Sequence, residues 1–183
     1  PRRQAASEQA CGALELTLSL EGSWSWHPDD PGGATMRGIT LKTYSNFLGR
    51  DASPDELRAI SDADTQSIYR RDYWDAVQAD SLASGIDVAT FDFAVNSGPR
   101  RAIKIMQKLA MAEQDGVIGP KTLKRVWERT ATYGAPKFVE EYSDLRQGFL
   151  EKLSAFKTFG RGWTARVDTV RSYSRGLALT ERL

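Results

Sequence analysis

Apolar residues recur at helical spacing along most of the chain, and glycine or proline separates one helical stretch from the next. In the first stretch, SEQACGALELTLSLEG, four residues fall on one face at steps of three and four: Cys11, Leu14, Leu18 and Glu21. Gly22 follows as a stop signal. The pattern therefore predicts a helix whose apolar stripe ends in the carboxyl group of Glu21.

The next stretch, SWSWHPDDPGGATMRGIT, has no helical spacing. Small and aromatic residues surround a corner of proline, aspartate and glycine, which is typical of a short, irregular β-hairpin. We expect strands only in this stretch.

Helix signals return from Thr40 onward. The segment TLKTYSNFLG ends at a glycine, and SPDEL has a capping box that joins Ser53 to Glu56. A longer helix is predicted over residues 61–77, with three aligned residues: Tyr69, Tyr73 and Val77. The following segment, GIDVATFDFAVNSG, is apolar on nearly every face, which predicts a helix through the centre of the molecule.

The C-terminal half continues with amphipathic helices. The segment PRRAIKIMQKLAM has an apolar face of Ile103, Met106 and Ala110, and KTLKRVWERTA has one of Leu123, Val126 and Trp127. The longest pattern runs from Phe138 to Phe156, about six helical turns. The residues GRGW are predicted to break it before a last helix with Trp163, Val167 and Val170. The fold class is therefore mainly α (α+β), with one small β-hairpin near the N-terminus.

Composition narrows the possible functions. The formal net charge is +1, so the overall charge gives no reason to expect a nucleic-acid partner. The single cysteine, Cys11, excludes an internal disulfide framework and a cysteine-based zinc site. With His27 as the only histidine, a multi-histidine metal site is disfavoured too, and we expect no metal and no other cofactor. No run reaches the roughly 20 apolar residues of a membrane span, so we expect no stable membrane insertion.

Glu21 and Asp30 are the candidate catalytic pair. A carboxyl group shielded from water holds its proton more tightly and is a candidate proton donor. A hairpin folded over the helix end would bring Asp30 opposite Glu21. One carboxyl group that is shielded and protonated and a second that is solvated and ionised are the groups needed to hydrolyse a glycosidic bond. The alternatives are that Glu21 turns outward or pairs with an arginine, and that Asp30 only caps its own turn.

Several aromatic residues are candidates for sugar contacts. Trp24 and Trp26 lie on the predicted hairpin. Tyr69, Tyr73 and Trp74 belong to the helix predicted over residues 61–77 and could line an opposing wall. Flat apolar rings can stack on sugars, but aromatic side chains are also the usual constituents of a core. We expect at least one of them to face a cleft.

The stretch EGSWSWHPDDPGGATMRGIT closely resembles the signature of glycoside hydrolase family 108, the secretion-activator type of peptidoglycan muramidase. The later stretch YWDAVQADSLASGIDVATFDFAVNSGPRRAI is similar to the second half of that family. From there to about residue 175, including DGVIGPKTL, the chain is similar to a predicted peptidoglycan-binding module. The resemblance covers nearly the whole chain.

The resemblance implies a lysozyme-like fold with Glu21 as the catalytic acid. Phage-type lysozymes of the same superfamily carry a second carboxylate and a threonine on the hairpin, and the comparable positions are Asp30 and Thr35. Asn96 matches the buried-helix motif, which implies a role in the floor of the site or in hydrogen bonding rather than in the chemistry, and we expect it to bind substrate. The chain departs from the family pattern at four positions: Ser23, Trp24, His27 and Met36.

Two lobes are expected, a catalytic lobe over residues 8–98 and a peptidoglycan-binding lobe over 99–175, packed as one compact unit. The segment DGVIGPKTL either contacts glycan or stem peptide or simply packs the second lobe.

The resemblance implies an endolysin-like lysozyme that cleaves the β-1,4 bond between N-acetylmuramic acid and N-acetylglucosamine. The alternatives are a non-catalytic cell-wall-binding or secretion-accessory protein and a hydrolase of chitin or chitosan. We expect a monomer that binds peptidoglycan glycan strands, with no nucleic-acid partner. The resemblance places it in a bacterium or phage, acting in the periplasm or at the cell wall.

Overall fold

The structure is a computed structural model that describes residues 2–26 and 33–180. Its contacts divide the chain into two compact units, Pro1–Asp72 and Tyr73–Leu183, which are described in turn. Helices predominate in both, as the sequence predicts, and the strands of the described residues lie in the first unit.

The first unit begins with helix α1 (Arg2–Leu20). Its buried face is formed by Ala13, Leu14 and Thr17, and Cys11 is exposed, so the predicted stripe is displaced from Cys11. Glu21 continues the last turn of the helix, since its backbone N–H donates to the carbonyl oxygen of Thr17 at 3.1 Å.

Three two-residue strands form an antiparallel sheet in the order β1 (Trp24–Ser25), β2 (Thr35–Met36), β3 (Ile39–Thr40). The predicted hairpin corresponds to β1 and β2, and a second hairpin between β2 and β3 extends it. Arg37 and Gly38 form the second turn with φ angles of 51° and 74°. Positive φ at both central residues is the type I′ geometry, whose twist matches that of paired strands.

Three short helices complete the first unit: α2 (Leu41–Leu48), α3 (Pro54–Arg58) and α4 (Asp62–Tyr69). Their N-caps are Thr40, Ser53 and Ser61, and the predicted capping box of Ser53 and Glu56 is confirmed. The helix predicted over 61–77 does not continue beyond Tyr69 as an α-helix. A π-helical turn follows over Arg70–Trp74, which changes the residue spacing and ends the regular pattern.

After a 3₁₀ turn (Ala79–Ser81), the second unit contains five helices: α5 (Ile86–Ser97), α6 (Pro99–Leu109), α7 (Pro120–Tyr133), α8 (Ala135–Leu150) and α9 (Phe156–Thr180). Nine consecutive residues of α5, Ile86–Ala94, are buried, and α5 packs against α6, α8 and α9. The prediction of a central helix is therefore confirmed within this unit. The division into lobes 8–98 and 99–175 stays a prediction, and α5 lies with the helices of the second unit. In the ranges 2–26 and 33–180, no helix combines the length and apolar character needed to cross a membrane.

The predicted helix break at GRGW is wrong. Helix α8 ends at Leu150, and α9 begins at Phe156 and runs through Gly160 and Gly162. Gly160 is buried against the Phe156 ring, where an added Cβ would lie 2.8 Å from a ring carbon. This glycine therefore serves close packing within the helix.

The buried face of α7 also differs from the prediction. Val126 is buried together with Thr122, four residues before it, whereas the Trp127 side chain is 60% exposed. Residues four apart share a helix face, so Thr122 and Val126 point the same way. Trp127 directly follows Val126, and its side chain therefore points to a different face.

A buried ion cluster joins three helices of the second unit. Asp92 on α5 is fully buried and contacts Arg146 of α8 and Arg166 of α9, each at 2.8 Å between nitrogen and carboxylate oxygen. Burial disfavours the charged carboxylate. The attraction of Arg146 and the hydrogen bonds from Arg166 outweigh this effect, so the pKa of Asp92 lies below its ordinary value.

Replacing Asp92 with asparagine should strongly destabilise the protein, because it leaves the buried guanidinium group of Arg146 and the mostly buried one of Arg166 without their countercharge. Breaking a buried pair from one side typically costs about 3–5 kcal/mol. Urea unfolding of wild type and Asp92→Asn measures the difference. Glu128→Gln is the control, since Glu128 is half exposed in its contact with Arg125 and should contribute less than about 1 kcal/mol.

The same pair of proteins gives a pH test. A carboxyl group whose pKa is lowered by folding stabilises the native state above its unfolded pKa of about 3.9 and loses that contribution as the pH falls. The stability difference between wild type and Asp92→Asn should therefore shrink progressively below about pH 4. The role assigned to Asp92 would be contradicted if the free energies of unfolding of wild type and Asp92→Asn in urea differed only slightly and by the same amount at every pH.

Candidate functional site

Glu21 lies against the second turn of the sheet. The residue is half buried and immediately follows α1. A Cβ atom built on Gly38 would lie 3.0 Å from the Glu21 Oε2 atom, so the carboxyl group reaches the turn at a place where only glycine leaves room. The helix end thus brings the candidate acid to the sheet.

Tyr69 approaches the same turn from α4. Its side chain is 1% exposed, and its hydroxyl donates to the backbone carbonyl oxygen of Arg37 at 2.7 Å. The Tyr69 Oη atom would lie 2.7 Å from a Cβ atom on Gly38. Glu21 and Tyr69, from two different helices, therefore meet at Gly38.

Gly38 is not among the residues predicted for the site. Tyr69 is predicted only as one of five aromatic residues that could line a cleft, and its ring is instead buried. The only signal for Gly38 is the Arg-Gly pair between two strands, which is typical of a turn with positive φ. The close approach of Glu21 and Tyr69 depends on tertiary structure. Arg37 also pairs with Asp62 at the start of α4, a contact that further joins the turn to this helix.

Two tryptophans lie on or directly beside strand β1. Trp24 lies on the strand and is half buried, with the Arg58 guanidinium group 5.5 Å from its ring centroid. Trp26 directly follows the strand and is 55% exposed. Trp26 therefore has the more accessible ring of the two.

Thr35 lies on the central strand, where it is paired with Ser25 on one side and Thr40 on the other. It is half buried. Asp30 and His27 lie outside the described residues, so the predicted pairing of Asp30 with Glu21 stays a prediction.

The remaining candidates belong to the second unit. Tyr73 is half buried. Trp74 is only 2% exposed; its ring packs edge-on against Phe91, and its indole N–H donates to Asp80 at 2.7 Å. This burial does not fit the predicted sugar-stacking role, and Trp74 is a core residue here.

Asn96, near the end of α5, is half buried and borders the ion cluster. Its Oδ1 atom accepts from the Ser97 hydroxyl at 3.2 Å and lies 3.5 Å from Nη2 of Arg146. Its side-chain amide is thus oriented in part by the buried guanidinium group.

The described groups around Glu21 are suited to proton transfer. They are the Glu21 carboxyl group and the Tyr69 hydroxyl, which donates to the backbone of the turn. Within residues 2–26 and 33–180, no three histidine, cysteine or acidic side chains gather as a metal site would require.

Comparison with known proteins identifies the family. Residues 14–98 match the family model described as Glycosyl hydrolase 108, and residues 101–168 match the one described as Predicted Peptidoglycan domain. The solved structure of Brucella abortus SagA is 43% identical in sequence, with a TM-score of 0.82, and the match covers 94% of this chain and 97% of that one. The chain belongs to glycosyl hydrolase family 108. No curated protein matches it.

Membership of family 108 confirms the resemblance and the lysozyme-like, mainly helical fold. Together, the two matched regions show a lysozyme-like protein whose function involves peptidoglycan. Glu21, Gly38 and Tyr69 all lie in the region that matches the hydrolase model.

Substituting Gly38 tests whether the close approach at the turn matters for activity. In Gly38→Ala, the new methyl group would collide with the Tyr69 hydroxyl and press on the Glu21 carboxyl group. Small misplacements of a catalytic group can lower a rate by up to about 100-fold, so we expect a loss of about 10- to 100-fold. The measurement is release of reducing sugar from purified peptidoglycan.

Gly49→Ala is a matched control for backbone strain. Gly49 has a φ of 69°, close to the 74° of Gly38, but an added Cβ there has no neighbour within 4 Å. Both variants should lose about 1–2 kcal/mol of stability from the left-handed backbone. Only Gly38→Ala should lose activity, and equal activities in the two variants would show that the contact at Gly38 is dispensable.

Proposed function

We propose that the protein is a muramidase that hydrolyses the β-1,4 bond between N-acetylmuramic acid and N-acetylglucosamine in peptidoglycan. Glu21 protonates the glycosidic oxygen as the bond breaks. The observation that carries the proposal is the placement of the Glu21 carboxyl group at the end of α1 and against Gly38. Membership of glycosyl hydrolase family 108 and the peptidoglycan domain support the reaction class and the substrate.

A positioned acid is useful at this bond because the leaving oxygen is a poor leaving group until it receives a proton. Proton transfer from a side chain in the transition state typically contributes about 10²–10⁴-fold in rate. Glu21 is partly removed from water, and its backbone is fixed by the last turn of α1. These features hold the acid in one place while the substrate binds.

Asp30 and Thr35 are proposed to manage the attacking water. Asp30 accepts a proton from the water as it attacks the anomeric carbon, and Thr35 hydrogen-bonds to the same water. The place of Thr35 on the central strand of the sheet supports this role, since both of its neighbouring strands restrain its backbone. The oxocarbenium-like transition state needs a carboxylate of this kind on the face opposite the acid.

Sugar contacts are proposed for Trp24, Trp26, Tyr73 and Asn96. Trp26 is the best supported because more than half of its side chain is accessible. Its indole ring offers a flat apolar surface to the carbon-bound hydrogens of a pyranose. Trp24 offers less free surface, since it is half buried.

The main prediction concerns Glu21→Gln, which keeps the size of the side chain but removes its acidic proton. We expect reducing-sugar release from sacculi to fall about 10²–10⁴-fold, the contribution of a general acid. Glu15→Gln is the matched control, since Glu15 is an exposed residue on the same helix and should retain wild-type activity. Circular dichroism verifies that both variants fold.

Two outcomes would contradict this proposal. Wild-type turnover by folded Glu21→Gln would remove Glu21 from the mechanism. Binding of wild-type protein to sacculi without release of any reducing sugar would favour the rival function, a non-catalytic cell-wall-binding or secretion-accessory protein. Turnover of chitin or chitosan but not of peptidoglycan would reassign the substrate.

The stereochemistry of the product tests the role of Asp30. A carboxylate that activates water gives a product of inverted anomeric configuration, whereas a nucleophilic carboxylate gives retention. Proton NMR of the first product should therefore show inversion, and Asp30→Asn should abolish turnover. A retained anomer would mean that Asp30 is a nucleophile or that another group acts in its place.

A further inference from the structure

Two aromatic side chains on α7 are exposed yet restrained. Trp127 and Tyr133 are each 60% exposed. The Trp127 indole N–H donates to the backbone carbonyl oxygen of Ser81 at 3.3 Å, and the Arg129 guanidinium group lies 5.2 Å from the Tyr133 ring centroid. A ring that is held in place loses little freedom when it binds a ligand.

The two rings border a continuous concave surface in the second unit. A cavity of about 200 Å³ is lined by Trp127, and one of about 430 Å³ is lined by Tyr133. Both cavities are also lined by Ala83, Thr130 and Ala131, so they adjoin. We call this surface the α7 groove. The larger volume lies within the range of about 300–1,000 Å³ that is typical of ligand sites.

The chemistry of the α7 groove favours an uncharged ligand. None of its described lining residues is charged, and most are small. The hydroxyl groups of Thr130 and Thr132 donate to backbone carbonyl oxygens of α7, each at 2.8 Å. Their oxygen lone pairs therefore remain as acceptors for the N–H or O–H groups of a ligand.

A second concave surface shows the contrast. It surrounds the start of α7 and is lined by six charged residues: Glu113, Asp115, Lys121, Lys124, Arg125 and Glu128. A stem peptide carries carboxylates and amines, which such side chains can pair. The α7 groove lacks these partners, and its aromatic rings match the apolar face of a sugar.

We propose that the α7 groove binds the glycan strand of peptidoglycan, with N-acetylhexosamine rings stacked on Trp127 and Tyr133. The groove would hold the strand independently of the cleavage chemistry at Glu21. Residues 126–133 lie in the region that matches the peptidoglycan domain, which supports this occupant. The inference rests on peptidoglycan being the partner of the proposed function, and it does not require that Glu21 cleave the strand.

The test measures binding without cleavage. Glu21→Gln protein is titrated calorimetrically with soluble glycan strands from which an amidase has removed the stem peptides. Adding Trp127→Ala should weaken binding about tenfold, the effect expected for loss of one anchoring aromatic residue. Trp127→Phe, which keeps a stacking ring, should restore most of the affinity, a result that a purely structural role of the indole N–H would not give.

Phe159→Ala is the control for loss of an exposed aromatic ring. Phe159 is 56% exposed on α9 and does not line the groove, so its removal should leave the affinity unchanged. Equal affinities for the parent and Trp127→Ala would overturn the proposal. So would a Trp127 effect that appears only with intact sacculi, since the contact would then be to the stem peptide.

Cosedimentation with sacculi distinguishes this inference from the proposed function. If Glu21 is not the catalytic acid but the α7 groove binds glycan, Trp127→Ala still weakens binding while Glu21→Gln leaves turnover intact. If the groove does not bind glycan but Glu21 is the acid, turnover falls in Glu21→Gln and binding is the same with and without Trp127→Ala.

Discussion

The candidate site depends on one constraint, which is that position 38 has no room for a side chain and must be glycine. The turn between β2 and β3 passes so close to Glu21 and Tyr69 that a single methyl group would collide with the tyrosine hydroxyl. A helix end, a sheet turn and a second helix therefore converge on one backbone position. Because the backbone there also adopts a positive φ, glycine satisfies two requirements at once.

In the second unit, the corresponding constraint is the buried charge of Asp92. Removing a carboxylate from water is unfavourable unless cations replace the lost hydration, and Arg146 and Arg166 do so from two other helices. These contacts specify which faces of α5, α8 and α9 meet. Asn96 lies one turn beyond Asp92 on α5 and contacts Arg146, so the same cluster helps to orient a proposed substrate-binding residue.

The sequence predicted the elements whose signals are local. The capping box of Ser53, the stop at Gly49 and the helix α5 with apolar residues on nearly every face follow from short-range patterns, and all three are present. The π-helical turn after Tyr69 was not predictable, since no residue type marks it. The helix through Gly160 was not predictable either, because a glycine that permits close packing and one that ends a helix look alike in sequence.

The site was predictable in a different way. Glu21 could be selected because a carboxyl group ends an apolar stripe and because the motif resembles that of a known family. The burial of Trp74 and the exposure of Trp127 could not be predicted from the sequence, because both depend on which helix covers which face. Trp127, expected in the core, is instead held at the surface, where it lines the α7 groove.

The most direct test of the account is mass spectrometry of the fragments that the protein releases from sacculi. A muramidase leaves N-acetylmuramic acid at the new reducing ends, and we predict these fragments for wild type and their loss in Glu21→Gln. Fragments ending in reducing N-acetylglucosamine, or muramic acid ends released equally by Glu21→Gln, would contradict the central claim.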